Sequence, residues 1–307
     1  MQRVRMSGRR AQRGFTLVEL LVALVLLGVV CTALYRVLVN NQRLYMAQTQ
    51  RIDLSQNIRA AANIMPAEFR ELDAADGDIV AMSADSFAFH AMRWTSFVCV
   101  KPVLAGVITN TMVIYGGQPG QPLFFGSRGV QAGTDSMYIY NDADQTTRND
   151  DYYVPAKLTA AVAGPALCPA VGAGPPKPGT TVTWDGNFFA GNNAAGAIPV
   201  GAPVWGYERD VYKLYQPAGD TLWYIGFGPI GGAKQPLIGP VLPGNGLSFS
   251  YYDVNGNVTA VRTQVARIDI TVRARTVGQV RAGGQAARQT IIDSLTTSVA
   301  LRNNRRF

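Results

Sequence analysis

Glu19 is the residue of this sequence whose position most needs a chemical explanation. It is the only acidic or basic residue in the apolar run of residues 15–35. A carboxylate at membrane depth costs about 2.5 to 3.5 kcal/mol, so an acidic residue in such a run indicates a functional site with a specific partner. The sequence therefore predicts a functional role for Glu19.

The apolar run is long enough to cross a membrane. Its 21 residues, at a helical rise of about 1.5 Å each, match a bilayer core of roughly 30 Å. Residues 1–14 contain five arginines and no acid, which is +5 of the formal net charge of +8. This asymmetry predicts a cytoplasmic N-terminus and an exported remainder. The alternatives are an uncleaved signal anchor and a secretory signal, but a secretory signal would have a shorter apolar region and a small-residue cleavage site.

Gly14, Phe15 and the segment Thr16-Leu17-Val18-Glu19-Leu20 follow a short basic leader. This arrangement resembles the type IV prepilin family, which comprises pilins and the pseudopilins of type II secretion. The resemblance implies cleavage after Gly14 by prepilin peptidase and methylation of the new amine on Phe15. It also implies that Glu19 meets the Phe15 amine of a neighbouring subunit.

The chemistry of such a pair explains how Glu19 would set the register between subunits. An amine and a carboxylate in one apolar medium attract each other strongly enough to offset part of their desolvation. Subunits that align the two groups are favoured, whereas misaligned subunits leave a charge unpaired. The expected partners are prepilin peptidase, the membrane, and other minor and major pilins or pseudopilins.

The predicted fold class is α+β, a pilin-like lollipop with a long N-terminal helix packed on a mostly antiparallel β-sheet head. The expected domains are a cleaved leader (1–14), a transmembrane half of the helix (15–36), an amphipathic half (37–72) and a head (73–307). Leu54, Ile58, Ala61 and Met65 repeat at helical spacing and should face the head. Pro66 predicts a break in the helix, followed by a possible extra turn.

Short runs rich in β-branched and aromatic residues predict the strands of the head. The clearest is 265–274, where polar and apolar residues alternate. The segment 155–203 is rich in Ala, Gly and Pro, and we expect an insertion with little regular structure. The predicted strands are residues 86–90, 111–115, 136–140, 210–215, 221–226, 247–252 and 265–274.

Two C-terminal segments indicate which members of the prepilin family this sequence resembles most. Residues 251–257 and 294–303 look like the C-terminal half of large W-type minor pilins, and J-type minor pseudopilins are similar there. The resemblance implies a minor type IV pilin that primes or caps pilus assembly, located first in the inner membrane with a periplasmic head and then in the pilus. The alternatives are a minor pseudopilin of a type II secretion system, located in a pseudopilus, and a tip adhesin module.

Cysteine use is consistent with export. Cys31 lies in the apolar run and acts as a small hydrophobic residue there. Cys99 and Cys168 are the two cysteines of the exported part, and they can form one disulfide in an oxidising periplasm. The alternative is two separate thiols.

The sequence does not predict an enzyme or a bound cofactor. His90 is the only histidine and is expected to be structural, and three cysteines cannot form a four-thiolate zinc site. Asp253, Asn255 and Asn257 offer oxygen ligands at alternate positions, as calcium loops do, but the late bidentate acid is missing. The alternative there is a hairpin turn at Asn255-Gly256.

A basic C-terminal region raises the question of DNA binding. Residues 262–307 contain nine arginines and two acids, but aromatic residues for base stacking are nearly absent. Solvated strand faces and a basic tail account for these arginines. DNA is therefore not an expected partner.

Overall fold

A computed structural model defines the fold of this chain. It describes residues 15–104, 107–116, 125–126, 128–142, 146–147, 151–169, 175–185, 198–280 and 287–302. The chain divides into two compact units, one of residues 1–53 with 276–291 and one of residues 54–275 with 292–307. We call the second unit the head.

A single helix, α1, extends from Leu17 to Phe69. Its first part contains Leu, Val and Ala with no proline, and its apolar side chains in residues 17–38 are exposed. The helix then continues through Pro66 for three more residues. The predicted break at Pro66 is therefore wrong. Burial of Met65, Pro66 and Phe69 in the head offsets the backbone hydrogen bond that proline cannot donate.

The head contains fifteen strands within the described residues. Their bounds are β1 (Ile79–Met82), β2 (Ser86–Val100), β3 (Val103–Leu104), β4 (Val107–Ile108), β5 (Thr111–Tyr115), β6 (Phe125–Gly126), β7 (Ser136–Asn141), β8 (Tyr152–Cys168), β9 (Lys177–Trp184), β10 (Pro203–Tyr215), β11 (Trp223–Pro229), β12 (Gln235–Val241), β13 (Leu247–Tyr252), β14 (Arg267–Arg275) and β15 (Ile292–Ala300). A short 3₁₀ helix, Arg262–Gln264, precedes β14. The long helix followed by this β-rich head is the α+β class that the sequence predicts.

Thirteen of these strands form one sheet whose pairings are antiparallel. The order is β1-β2-β5-β9-β8-β7-β10-β11-β12-β14-β13, with β15 on β14 and β6 on β2. Because β10 also pairs with β2, six strands close into a ring, β2-β5-β9-β8-β7-β10. One buried cluster is contributed largely by these strands and includes Trp94, Ile114, Met137, Val182 and Val204.

The seven runs predicted as strands all lie in or overlap observed strands. In β14, the alternation places Ile268, Ile270 and Val272 in the core, as predicted. The prediction of little regular structure in residues 155–203 is wrong, because most of β8 and all of β9 lie there. Alternate residues of β8, such as Val154 and Leu158, are buried in the head, while residues 170–174 and 186–197 lie outside the described part.

The last turns of α1 pack against the sheet. Leu54, Ile58, Ala61 and Met65 are buried, which confirms the predicted face. The Phe69 ring lies 4.6 Å from the Phe87 ring, measured between centroids, in an edge-on contact. Such aromatic contacts contribute about 0.5 to 1.5 kcal/mol beyond the buried area.

Polar contacts also hold this end of the helix. Glu68 accepts a hydrogen bond of 2.9 Å from the Tyr212 hydroxyl and pairs with Arg93 at 3.4 Å. Arg93 also pairs with Glu208 and Asp210 of β10. Asp210 is nearly buried and depends on Arg93 for compensation of its charge, whereas Glu208 also pairs with Arg128 at 2.9 Å.

Gly206 allows β10 to pass directly over a tryptophan of the core. It is paired with Trp94, which is 2 % exposed and whose indole N–H donates to Asp135 Oδ2 at 2.9 Å. A Cβ atom at position 206 would lie 1.8 Å from Trp94 Cε2. Glycine is therefore required here by the close approach of the indole.

We predict that Gly206→Ala destabilises the head by about 1 to 3 kcal/mol, because Trp94 has to leave its packed position. The measurement is the urea concentration at the midpoint of unfolding of the full chain in detergent, monitored by tryptophan fluorescence. Gly129→Ala is the matched control, since a Cβ there meets no atom within 4 Å. Equal midpoints for the wild type and Gly206→Ala would contradict this packing.

Candidate functional site

The start of α1 is a reciprocal capping arrangement between Thr16 and Glu19. The backbone N–H and the hydroxyl of Thr16 donate to Glu19 Oε2 at 3.1 and 3.2 Å. The backbone N–H of Glu19 in turn donates to the Thr16 hydroxyl oxygen at 3.2 Å. This is a capping box, in which two otherwise unpaired N–H groups at a helix start are satisfied by side chains.

The capping box gives Glu19 a partner within its own chain. Its carboxylate lies in the first turn, where the helix dipole also favours negative charge. Sequence reasoning missed this role of Thr16, although the Thr-x-x-Glu spacing was available as a signal. Phe15 stands just before the cap and is 81 % exposed, and Gly14 lies outside the described residues.

The helix behind this cap has an apolar surface on every side. Its large apolar side chains from Leu17 to Leu38 are each at least half exposed. The helix is long and apolar enough to cross a membrane, and none of its most apolar stretch is buried by the described protein. A helix that is apolar all round requires lipid or other helices around it. The segment is therefore suited to act as a membrane anchor.

In the structure, a disulfide joins Cys99 of β2 to Cys168 of β8, with 5.0 Å between their Cα atoms. The pairing order places β5 and β9 between these two strands on one side of the ring. Both cysteines are buried, whereas Cys31 on α1 is exposed and unpaired. The bridge thus ties together two strands that do not pair with each other.

Asp253 lies in a turn and uses its carboxylate there. Its Oδ1 accepts hydrogen bonds from the backbone N–H groups of Asn255 and Asn257 at 2.9 and 2.8 Å. These bonds, that of Asn257 first, lower the pKa of Asp253 below its usual value. Tyr252 and Val258 pair across the turn, and Gly256 has a φ of +84°, as the hairpin alternative requires. Within the described residues, no three His, Cys, Asp or Glu side chains group as a metal site would need.

His90 belongs to a side-chain network on the sheet. Its Nδ1 lies 2.7 Å from the Tyr138 hydroxyl and 3.5 Å from Asp78 Oδ1. Its ring also lies 4.3 Å from that of Tyr207. These contacts link β2, β7 and β10 and agree with the structural role expected from the sequence.

We predict that a peptide containing both Cys99 and Cys168 is found by mass spectrometry of the non-reduced protein. Cys99→Ser should lower the free energy of unfolding by about 4 kcal/mol, because the bridge closes a loop of 69 residues. Cys31→Ser is the control and should leave unfolding unchanged. Two free thiols at positions 99 and 168 would contradict the bridge.

Comparison with known protein families gives a match, which covers the helix start described above. Residues 9–35 match the family described as the prokaryotic N-terminal methylation motif. No curated protein and no solved structure matches the chain. The motif implies processing by prepilin peptidase and assembly with other pilins, and it suggests a structural subunit. It therefore supports a type IV prepilin-like protein, either a pilin or a pseudopilin.

Proposed function

We propose that this protein is a minor type IV pilin that primes or caps the assembly of a pilus. The observation that carries the proposal is the methylation motif joined to an apolar helix that the described protein leaves uncovered. Such a helix is stable in lipid before assembly and among other subunits' helices after it. The protein is then a structural component rather than an enzyme.

Processing and topology follow from the same segment. Prepilin peptidase cuts after Gly14, and the new amine on Phe15 is methylated. The arginines before Gly14 hold the N-terminus in the cytoplasm, so that residues 15–36 cross the inner membrane and the head lies in the periplasm. Extraction from the membrane then places the helix in the filament.

Glu19 has two partners in this account. In the single chain, Thr16 satisfies its carboxylate. In a filament, the amine of Phe15 from a neighbouring subunit adds an opposite charge in the same apolar medium. Before assembly, the capping box supplies hydrogen bonds to the Glu19 carboxylate. During assembly, the amine of the neighbouring subunit compensates its charge and thereby fixes the register.

The minor role is supported by the size of the head and by its C-terminal part. Residues 251–257 include the end of β13 and the turn at Asp253, and residues 294–303 include most of β15. Both strands pair with β14, and Ile58 of α1 lines a crevice shared with β14 and β15. Of the two segments that resemble W-type minor pilins, residues 294–303 thus contribute Leu295 and Thr297 to the crevice beside the helix.

A minor pseudopilin of a type II secretion system is the second candidate, because pseudopilins carry the same methylation motif. Deletion of the gene distinguishes the two. Loss of surface pili with normal secretion supports the pilin, and loss of secretion with normal piliation supports the pseudopilin. Removing residues 155–203 would delete β9 and most of β8 from the core. Such a deletion would disrupt the fold of the head, so it cannot test a role as a tip adhesin.

We predict that Glu19→Ala inserts into the membrane normally but is recovered in sheared filaments at a tenth of the wild-type amount or less. The reason is that the neighbouring amine is left without its counter-charge. Quantitative immunoblotting of the membrane and filament fractions measures both steps.

Thr16→Val is the matched control, since it removes the hydroxyl of the capping box and keeps the carboxylate. We expect it to cost about 1 kcal/mol of helix stability but to retain most of the incorporation. If Glu19→Ala were incorporated like the wild type, the role of Glu19 in register would be wrong. If both variants lost incorporation equally, the capping box alone would account for Glu19.

A further inference from the structure

A cleft of about 940 Å³ opens on the head. Its floor is formed by strands β7, β8 and β10, and one wall is the loop that connects α1 to β1. None of its residues takes part in the processing or register chemistry described above. The cleft therefore needs an explanation of its own.

The floor of the cleft is a row of aromatic side chains. Tyr140 pairs with Tyr153 across β7 and β8, and Tyr138 pairs with Trp205 across β7 and β10, so the four residues share one face. The ring centroids of Tyr153 and Trp205 are 4.6 Å apart, and those of Tyr140 and Tyr153 are 5.5 Å apart. All four side chains are only partly buried. They form a continuous platform that is open to solvent.

This platform is not a by-product of the core. The alternate residues of the same strands, including Met137, Ile139, Val154 and Val204, point to the opposite face and form the buried cluster. The outward positions of a solvated strand face usually carry small polar or charged residues. Here they carry three tyrosines and a tryptophan side by side.

The walls of the cleft are acidic. Asp73, Asp76 and Asp78 come from the loop after α1, and Asp151 lies at the start of β8. The described residues that line the cleft include neither lysine nor arginine. The walls therefore carry negative charge without a neutralising cation in the lining.

The carboxylates affect one another and the platform. Burial raises the pKa of Asp73, and the nearby charges of Asp76 and Asp78 raise it further. Burial likewise raises the pKa of Tyr153, to which the charges of Asp76 and Asp151 add. The Oδ1 atom of Asp151 is buried and has no hydrogen-bond partner among the described residues. A cation in the cleft would relieve the mutual repulsion of these carboxylates.

Aromatic faces and carboxylates together select for cations. The face of a tryptophan or tyrosine ring attracts an ammonium or guanidinium group within about 6 Å. A guanidinium group can also stack flat on a ring while its N–H groups bind a carboxylate in a bidentate pair. Arginine is therefore the side chain that this combination fits best.

The size of the cleft favours a polypeptide over a small free cation. Small-molecule sites occupy about 300 to 1,000 Å³ and enclose most of the ligand, whereas this cleft lies at the upper end and is open. Its carboxylates stand both on the α1–β1 loop and at Asp151, directly before β8, so two cationic side chains can be bound at once. A single small cation would leave most of the platform uncovered.

We propose that the cleft binds an extended, arginine-containing segment of a partner protein, with guanidinium groups stacked on Tyr140, Tyr153 and Trp205 and paired with Asp76 and Asp151. This interaction surface is independent of the proposed pilin function, since it does not involve the helix start. Charge complementarity supplies attraction and specificity, and the aromatic platform supplies the contact area.

The test uses the full chain in detergent and a labelled Arg-Gly-Arg-Gly-Arg peptide, with binding followed by fluorescence anisotropy at two salt concentrations. We expect saturable binding that weakens as salt rises. A Glu-Gly-Glu-Gly-Glu peptide of the same length should not bind. Binding of the acidic peptide with the same affinity, or no binding of the arginine peptide up to millimolar concentration, would overturn the proposal.

Variants locate the site. The double variant Asp76→Asn, Asp151→Asn keeps the side-chain shapes and should weaken peptide binding at least tenfold. Trp205→Leu should weaken it severalfold, whereas Tyr153→Phe keeps the ring and should bind as the wild type does. Asp293→Asn on β15, outside the cleft, is the charge control and should change nothing.

Thermal melting of each variant is recorded with the binding curve, so that a loss of fold is not taken for a loss of binding. Unchanged affinity in a folded double variant would overturn the proposal. An equal loss in Asp293→Asn would do so too, because it would show that only the net charge of the protein matters. If the aspartate and tryptophan variants do not fold, the peptide pair and its salt dependence still decide the outcome.

Discussion

The exposed apolar surface of the first part of α1 is the constraint on which the rest of this protein depends. A helix with Leu and Val on every side is not stable in water, so this segment requires lipid or the helices of other subunits. Glu19 is compatible with either setting because the capping box satisfies its carboxylate locally. The same carboxylate stays available to an amine brought by a neighbour, and this is how the proposed register selection would work.

The same helix changes character at Leu54, where one face becomes buried in the head. Aromatic packing around Phe69 and the charged contacts of Glu68 hold this part against β2 and β10. The head in turn is organised by a ring of six strands, with Trp94 in its core and a disulfide across two of its members. A large antiparallel head is thus built around the end of an unusually long helix.

The periodicity of the sequence was sufficient for the helix, its buried face and seven strands, because these depend on local alternation and spacing. Two predictions that were based on composition were wrong. Pro66 lies within the helix, and residues 155–168 and 177–184 of the Ala- and Pro-rich segment form strands, because packing and pairing in the head outweigh weak local propensities. The capping box could have been predicted from the sequence, because Thr16 and Glu19 are only three residues apart. The aromatic cleft was not, because it joins a loop near residue 75 to strands near 140 and 205, and strand register cannot be derived from a single sequence.

The mass of the N-terminal peptide of the protein recovered from membranes tests directly whether this chain is processed as a prepilin. We expect a chain that begins at Phe15 and carries one methyl group on its α-amine. In a strain without prepilin peptidase, the leader should remain attached. If the protein kept residues 1–14 in the presence of the peptidase, or were cut at another bond, cleavage after Gly14 would be contradicted.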